Sequence, residues 1–392
     1  MKKLLSLTLI LSLIIAACFL ISCSNNDTWK RGYIQNHPIP ISSTILNDRS
    51  DDVKYEKNQD GIIDLRGTKI DSEQLKKISV ADLTNVTQFD TVTEWSEDLP
   101  KDFEPWKLIE ECKKKKLELG NLHDKGYDGE GIGIAMIDAT LLVDHVEIKD
   151  NVKFYKAFSS EKDIAEMHGV AMASIAVGRN IGIAPKADLY FIADDFYNVE
   201  QKKVDFTKIA DDILNIIELN KSLKNKIRVI SISSGYSDNA SVLGTVELSK
   251  AIKKAKENNI EILCLIPGNK IFIFSSATRV SYSDVNDITK FMPYFDLPNY
   301  KNIYVPTDKI TYASFLGEEE YAYAPWEGMS SIVPYVAGLY TLACQADSSI
   351  TFEKFSEIAN YTAIETEHIS EQYGKQKFRL IDPNAITENL IK

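Results

Sequence analysis

Ile132-Gly133-Ile134-Ala135-Met136-Ile137-Asp138 is an unbroken apolar run that stops on a carboxylate. A strand with one wet face alternates apolar and polar residues, whereas a run without alternation belongs to a strand covered on both faces. Four other segments share this character: Leu189 to Ala193, Arg228 to Ser233, Ile260 to Ile266 and Ile303 to Pro306. Helical patterns lie between and after them, at His168 to Gly178, Asp205 to Leu219, Leu243 to Asn258, Ser330 to Ala346 and Thr351 to Tyr361. In the second of these, Phe206, Ile209, Ile213, Ile216 and Ile217 keep a helical period. The alternation predicts an α/β domain over residues 118–392, with a doubly wound, mostly parallel sheet flanked by helices.

Composition narrows the class. The chain has 392 residues, 45 of them Lys or Arg and 57 Asp or Glu, for a formal charge of −12. An acidic chain without clustered Lys and Arg lacks a phosphate-backbone surface, so nucleic acid is not an expected partner. A hydrophobic share of 44% is enough for a sizeable core and excludes a disordered chain. Cys112, Cys264 and Cys344 are odd in number and form no CxxC, and the last two lie in apolar runs. Neither a disulfide framework nor a zinc site is expected.

The N-terminus sets the compartment. Lys2 and Lys3 precede the apolar stretch Leu4 to Ile21, the pattern of a secretory signal over residues 1–22. The stretch ends in Leu20-Ile21-Ser22-Cys23 before the polar run Ser24-Asn25-Asn26-Asp27, which resembles a bacterial lipoprotein box with Cys23 as the acylated residue. Ile15-Ala16-Ala17-Cys18 is a second box, but apolar residues follow it. An uncleaved anchor is the other reading, since about 18 apolar residues can just span a bilayer. Each reading leaves the chain outside the cytoplasm and tethered to a membrane of the cell envelope. Residues 23–117 then form an extension of different texture. It holds the polar segment Asn25 to Asp60, a short strand at Ile62 to Leu65, a short helix from Ser72 to Lys77, and a helical pattern from Trp106 to Leu119 around Lys113 to Lys116.

In parallel α/β sheets ligands bind at the carboxyl ends of the strands. Ile132 to Ile137 runs into Asp138, and Ile260 to Ile266 runs into Pro267-Gly268-Asn269. His168 opens a helix of small residues, and Ser330 opens another after Gly328, with Pro334 expected to fall in its first turn. An acid, an imidazole, an amide and a hydroxyl at element ends are the groups that acyl transfer to a serine requires.

The motifs around these residues resemble the subtilisin-like serine peptidases. Gly126 to Asp138 is similar to the family's glycine-rich entry into the strand that ends at the catalytic Asp. His168-Gly169-Val170-Ala171-Met172-Ala173-Ser174 resembles the helix begun by the catalytic His, and Ile181-Gly182-Ile183-Ala184-Pro185 the turn after it. Gly268-Asn269 matches the oxyanion Asn, Gly328-Met329-Ser330-Ser331-Ile332-Val333-Pro334 the nucleophile motif, and Leu380-Ile381-Asp382-Pro383 the closing segment. The resemblance covers about residues 118–388 in the family's order. It implies a serine endopeptidase acting on protein or peptide substrates, with Asp138, His168 and Ser330 as the triad and Asn269 in the oxyanion hole. It also implies that Ser233, Ser234 and Gly235, with Ile266 and Gly268, line the first substrate pocket. Those walls favour an apolar side chain before the cut bond, and Ile266 makes the pocket shallow.

Some positions depart from the family pattern. Ala139-Thr140 follows Asp138, Val170-Ala171 follows His168-Gly169, and Met329, Ser331 and Tyr335 replace the usual neighbours of the nucleophile. All three triad positions are kept, which favours an active enzyme. The alternative is a weak or inactive surface lipoprotein that uses the fold to bind peptides or a protein partner. Family members often bind calcium, but no carboxylate cluster here matches such a site, so no cofactor is expected. Asp144 and Glu147 flank His145, leaving a metal there as a minor reading beside the family's structural His at that segment. Residues 23–117 stand where many relatives carry a removable propeptide. No processing site stands out before Gly120, which favours retention.

Overall fold

The computed structural model describes residues 28–41, 57–58, 61–113, 117–158, 162–194, 196–198, 203–237, 241–279, 286–294, 301–326, 328–370 and 374–391. Cys18, Cys23, the signal segment and Lys114 to Lys116 lie outside them.

Seventeen strands are described. In chain order they begin with β1 (Tyr33–Ile34), β2 (Ile63–Asp64), β3 (Thr87–Asp90), β4 (Gly133–Asp138), β5 (Val152–Ala157) and β6 (Asp188–Ala193). The hairpin β7 (Tyr197–Asn198) and β8 (Lys203–Val204) follows, then β9 (Ile227–Gly235), β10 (Glu261–Leu265), β11 (Phe274–Arg279) and β12 (Phe291–Pro293). The last are β13 (Ile303–Pro306), β14 (Asp308–Ala313), β15 (Tyr321–Trp326), β16 (Ile364–Ser370) and β17 (Gly374–Leu380).

The main sheet has the order β1-β5-β6-β4-β9-β10, and every neighbouring pair in it is parallel. The α/β expectation therefore holds, and the unbroken apolar runs have a direct cause. Along β4, Ile134 and Met136 enter one core while Ala135 and Ile137 enter another. Along β6, Leu189 and Phe191 join the first core, and Tyr190 and Ile192 the second. The first core is roofed by the helices Met167–Val177 and Met329–Ala346, the second by Thr207–Ser222 and Thr245–Glu257. Helices on both faces leave no strand face for polar residues.

Ile303 to Pro306 is a strand, as expected, but it sits in a second sheet, β12-β11-β13-β17-β16. A third sheet, β14-β15-β3-β2, joins residues 63–90 to residues 308–326. Within it β3 pairs antiparallel with β15, placing Asp90 opposite Ala322 and Phe89 opposite Tyr323. Phe89, Phe103 and Tyr323 share one small core, and the Thr311 hydroxyl of β14 donates to the Ile109 carbonyl at 2.8 Å. Residues 61–112 thus contribute two strands, β2 and β3, and a core to a sheet completed by residues 308–326. The segment 28–41 is tied elsewhere, with β1 on the edge of the main sheet and Trp29 stacked on Phe154 at 5.3 Å. The helical pattern expected from Trp106 to Leu119 is two helices, Pro105–Cys112 and Leu119–Asp124. Leu117 and Glu118 adopt φ values of 54° and 57°, left-handed backbone immediately before the second helix.

Asp90 is buried in the join between β3 and β15. Its Oδ1 accepts from Thr93 Oγ1 at 2.8 Å and from Gly67 N at 3.1 Å, while Oδ2 is buried without a hydrogen-bond partner. Burial pushes its pKa up to about 6, because the ionised form lacks solvation on Oδ2. A raised carboxyl contributes stability that is complete below pH 4 and is lost as pH rises through 6. Asp90→Asn keeps the Oδ1 acceptor and removes the charge. Relative to wild type, the variant should gain about 3 kcal/mol between pH 4 and pH 7. Urea unfolding of both proteins at the two pH values measures the gain, and a constant difference between them would refute the buried ionisation.

Candidate active site

The spatial order of the main sheet reverses about β4. The chain passes from β4 to β5 on one side and later reaches β9 on the other, so a crevice forms between the carboxyl ends of β4 and β9. Asp138 is the last residue of β4, and Ser233 to Gly235 close β9. Asp138 is 2% exposed. Its Oδ1 accepts from the Ala139 N–H at 2.7 Å and lies 2.6 Å from His168 Nδ1. A carboxylate only accepts, so Nδ1 carries the ring proton and Nε2 is left as the basic nitrogen.

His168 is the second residue of a helix seated on the turn after β4. The Glu166 N–H donates to the Thr140 carbonyl at 3.0 Å, and the Thr140 hydroxyl donates to the Glu166 carboxylate at 3.1 Å. Gly169 makes the seating possible: a Cβ there would stand 2.0 Å from the Ala139 carbonyl oxygen. The helix is buried on all sides from Gly169 to Val177, which is why its residues are small and show no polar stripe.

Ser330 is the second residue of Met329–Ala346, where the first N–H groups of the helix have no intrahelical acceptor. Pro334 lies beyond the first turn, contrary to the expectation. Its ring nitrogen stands where an N–H would bond the Ser330 carbonyl. Ser233 supplies the missing donor: its hydroxyl bonds to the Ser330 carbonyl at 2.9 Å, and Ser330 Oγ in turn donates to the Ser233 carbonyl at 3.4 Å. This reciprocal pair ties the end of β9 to the start of the helix Met329–Ala346. The sequence reading assigned Ser233 to the substrate pocket and missed this link, because only the register of β9 against the helix creates it.

The structure thus brings Asp138, His168, Ser330 and Ser233 to the crevice, with Ser330 Oγ directed at Ser233. Asn269 stands at the end of β10 as the cap of the short helix Lys270–Ile273, its Oδ1 accepting from Ile271 N at 3.0 Å. Its Nδ2 donates to the Ile262 carbonyl at 2.9 Å and to Cys264 Sγ at 3.3 Å. Both amide hydrogens are therefore used inside the turn, and the side chain must rotate before it can donate to an oxyanion. Gly235 lies against Leu265, whose carbonyl accepts from Tyr236 N at 3.0 Å. Ile266 is 8% exposed and belongs to the second core, so it shows little surface to a substrate. Gly268 is exposed with φ +79°, and Ser234 is half-buried.

Two further features border the site. Asp194, just after β6, donates its N–H to the Asp138 carbonyl at 3.2 Å. It faces Asp212 from the helix Thr207–Ser222, and burial together with the Asp194 charge pushes the Asp212 pKa up to about 9. His145 is spoken for, its Nδ1 accepting from Glu147 N at 3.1 Å and its Nε2 donating to the Glu320 carbonyl at 2.8 Å. Neither nitrogen offers a lone pair to a metal, and burial lowers its pKa.

The parallel α/β sheet thus carries a buried Asp–His pair at its switch point, and Ser330 opens the helix that docks on the neighbouring strand. The chain belongs to the subtilase family, whose model matches residues 129–375. Family membership supports serine-peptidase chemistry. Alkaline protease 2 of Aspergillus fumigatus is 29% identical over 93 residues, which cover 22% of this chain and 19% of that protein. The chain thus matches about a fifth of the length of this curated relative. Among solved structures, a chain of the subtilase cytotoxin SubAB assembly aligns at TM-score 0.50 and 13% identity, over 74% of this chain and 97% of that one. The prenylagaramide maturation protease PagA aligns at TM-score 0.49 and 17% identity, over 69% of this chain and 98% of that one. The likeness to these structures is one of fold.

The Ser233–Ser330 link makes a measurable demand. Ser233→Ala leaves the Ser330 carbonyl without a donor and should cost about 1–3 kcal/mol in urea unfolding. In a Pro334→Ala background the helix regains its own N–H, and the same substitution should cost less than about 1 kcal/mol. Equal costs in both backgrounds would show that Ser233 does not replace the missing helical bond.

Proposed function

We propose that the protein is a serine endopeptidase of the cell envelope, held to a membrane by a lipid on Cys23. The observation that carries the enzymatic reading is the 2.6 Å bond between His168 Nδ1 and Asp138 Oδ1 at the end of a buried strand. It sets the tautomer that a general base beside Ser330 needs. In the reaction Ser330 Oγ turns from the Ser233 carbonyl to His168 Nε2, loses its proton there and attacks the peptide carbonyl. Asp138 stabilises the imidazolium, which then protonates the leaving amine. Water repeats the sequence to release the acyl group. The Ser330 N–H at the helix start receives the developing oxyanion, and Asn269 joins it after rotating out of its turn.

A second reading, a peptide-binding protein on the same fold, is favoured by the resting bonds of Ser330 Oγ and the Asn269 amide. A fluorophosphonate probe separates the two. The enzyme should be labelled at one site; Ser330→Ala should abolish labelling, and His168→Ala should lower its rate by at least about a hundredfold. Folded protein that takes no label would leave the binding reading in possession.

The anchor and the extension belong to the same proposal. Pairing of β3 with β15 supports retention of residues 23–117, since their removal would expose the core around Phe89 and Tyr323. In the native host the membrane form should incorporate labelled palmitate and have the mass of a chain beginning at Cys23. Cys23→Ala should abolish the label. A membrane form that begins near residue 110 would overturn retention.

A further inference from the structure

Residues 36–40 read Asn36-His37-Pro38-Ile39-Pro40. A residue that precedes a proline is held in extended backbone, and a proline is itself fixed near φ of about −65°. The alternation therefore stiffens His37 to Pro40 without help from a sheet. Neither proline has an N–H, which leaves Ile39 as the sole backbone donor of residues 38–40. The segment comes from β1 on the edge of the main sheet. There the Gln35 N–H donates to the Tyr155 carbonyl at 3.0 Å, and the Gln35 side chain accepts from the Ala157 N–H at 3.2 Å.

Beyond β5 the segment bonds to the two connections that meet at the Asp138–His168 pair. The first leads into the helix that carries His168. The Ile39 N–H donates to the Asp163 carbonyl at 3.0 Å, and the Ile39 carbonyl accepts from the Ala165 N–H at 2.9 Å, a parallel bridge about Ile164. Asn36 Nδ2 adds bonds to the Lys162 carbonyl at 2.6 Å and to Asp163 Oδ1 at 3.0 Å. The second connection follows Asp138, and its Asp144 Oδ2 accepts from His37 Nδ1 at 2.7 Å. Ala165 and Glu166 are consecutive, and their N–H groups go to Ile39 and to Thr140. The chain is thus gripped from both sides just before it delivers the imidazole. Of residues 36–40 only Pro38 is buried. The Ile39 side chain is 63% exposed, and those of His37 and Asp144 are 58% and 42% exposed. Contacts this open to water contribute little stability, but they fix direction.

We propose that residues 36–39 are a positioning strap for the catalytic imidazole, setting the approach of His168 to Asp138 and so the rate of proton transfer at Ser330. The effect on rate rests on the serine-peptidase reading, whereas the alignment of His168 with Asp138 can be observed without any reaction. The strap also gives the N-terminal extension a hold on the site separate from the pairing of β3 with β15.

The test compares variants of the full chain in a non-ionic detergent. Ile39→Pro removes the one backbone donor, and Ile39→Ala is its conservative counterpart. His37→Ala removes the bond to Asp144, and His37→Asn returns a donor near the place of Nδ1. Labelling by a fluorophosphonate probe over a range of concentrations separates kinact from KI. Proton NMR follows the Nδ1 proton of His168, which a carboxylate partner shifts downfield and which is assigned by its absence in His168→Gln. In Ile39→Pro and His37→Ala, kinact should fall about tenfold to a hundredfold with KI unchanged, as a displacement of up to about 1 Å at the reacting atoms requires. The downfield proton should broaden or vanish in both, while the melting temperature changes little. Ile39→Ala and His37→Asn should restore rate and resonance together.

A resonance and a kinact that persist in both Ile39→Pro and His37→Ala would overturn the strap. So would a loss in His37→Ala that His37→Asn does not restore. If Ile39→Pro does not fold, the two His37 variants decide, since that side chain is exposed. A wild-type chain that takes no label removes the serine-peptidase reading instead, and the resonance alone then decides whether the strap aligns His168.

Discussion

A carboxylate at the end of a fully buried strand is the constraint around which this molecule is arranged. Asp138, 2% exposed, has to find its hydrogen bonds within the protein, since an unpaired buried carboxylate costs several kcal/mol. One bond comes from the next backbone N–H and the other from His168. To deliver His168, a helix must begin within reach of the turn that follows β4. That demands Gly169 against the Ala139 carbonyl and the two Glu166–Thr140 bonds that seat the helix. To bury Asp138, β4 must be flanked by β6 and β9, which places the end of β9 beside it. The Ser330 helix then docks on that end through Ser233. Each element is where it is because the one before it left a polar group to satisfy.

The parts legible in the sequence are those governed by local pattern. β4, β6, β9 and β10 appear as apolar runs because both faces are covered, and each lies within two residues of its expected bounds. Asp138, His168 and Ser330 were readable because each sits where one element ends or begins. What escaped depends on register or rotamer. The hairpin of β14 and β15 carries tyrosines on both faces and joins a partner some 230 residues away, so no local signal marks it. Asn269 was placed correctly at the end of β10, but nothing in Pro267-Gly268-Asn269 says that its amide turns back on Ile262. A basic cleft at the amino ends of β4, β9 and β10 was invisible for a similar reason: its charges come from the end of the helix Thr207–Ser222, the connection to β9, Arg228 within β9 and a helix end at Lys256, and only the fold brings them to the chain near 350.

The third sheet gives the N-terminal extension a bearing on the site. β15 runs from Tyr321 to Trp326 and leads within four residues to Ser330. Its other side is held by β3, so the strand that leads to Ser330 is paired on one edge by β14 and on the other by the extension. The Tyr321 hydroxyl donates to Glu147 at 2.6 Å, and Glu147 also accepts from Asn180 N at 2.8 Å in the turn after the His168 helix. Loosening β3 would therefore be felt both at the approach to Ser330 and at the far end of the helix that carries His168.

The main sheet also imposes a polarity that the rest of the chain exploits. Six parallel strands have one carboxyl edge and one amino edge, and no antiparallel member blurs the distinction. The carboxyl edge gathers the loops that carry Asp138, Ser233 and Asn269, as expected for a crevice at a switch point. The amino edge collects the ends of helices instead, and the backbone carbonyls exposed there attract Lys226 and Arg228. Positive side chains accumulate at that pole because helix carboxyl ends are negative, which is a folding requirement before it is a functional one. A single geometric fact, the common direction of six strands, thus sets the edge that gathers Asp138, Ser233 and Asn269 apart from the edge that gathers the helix ends.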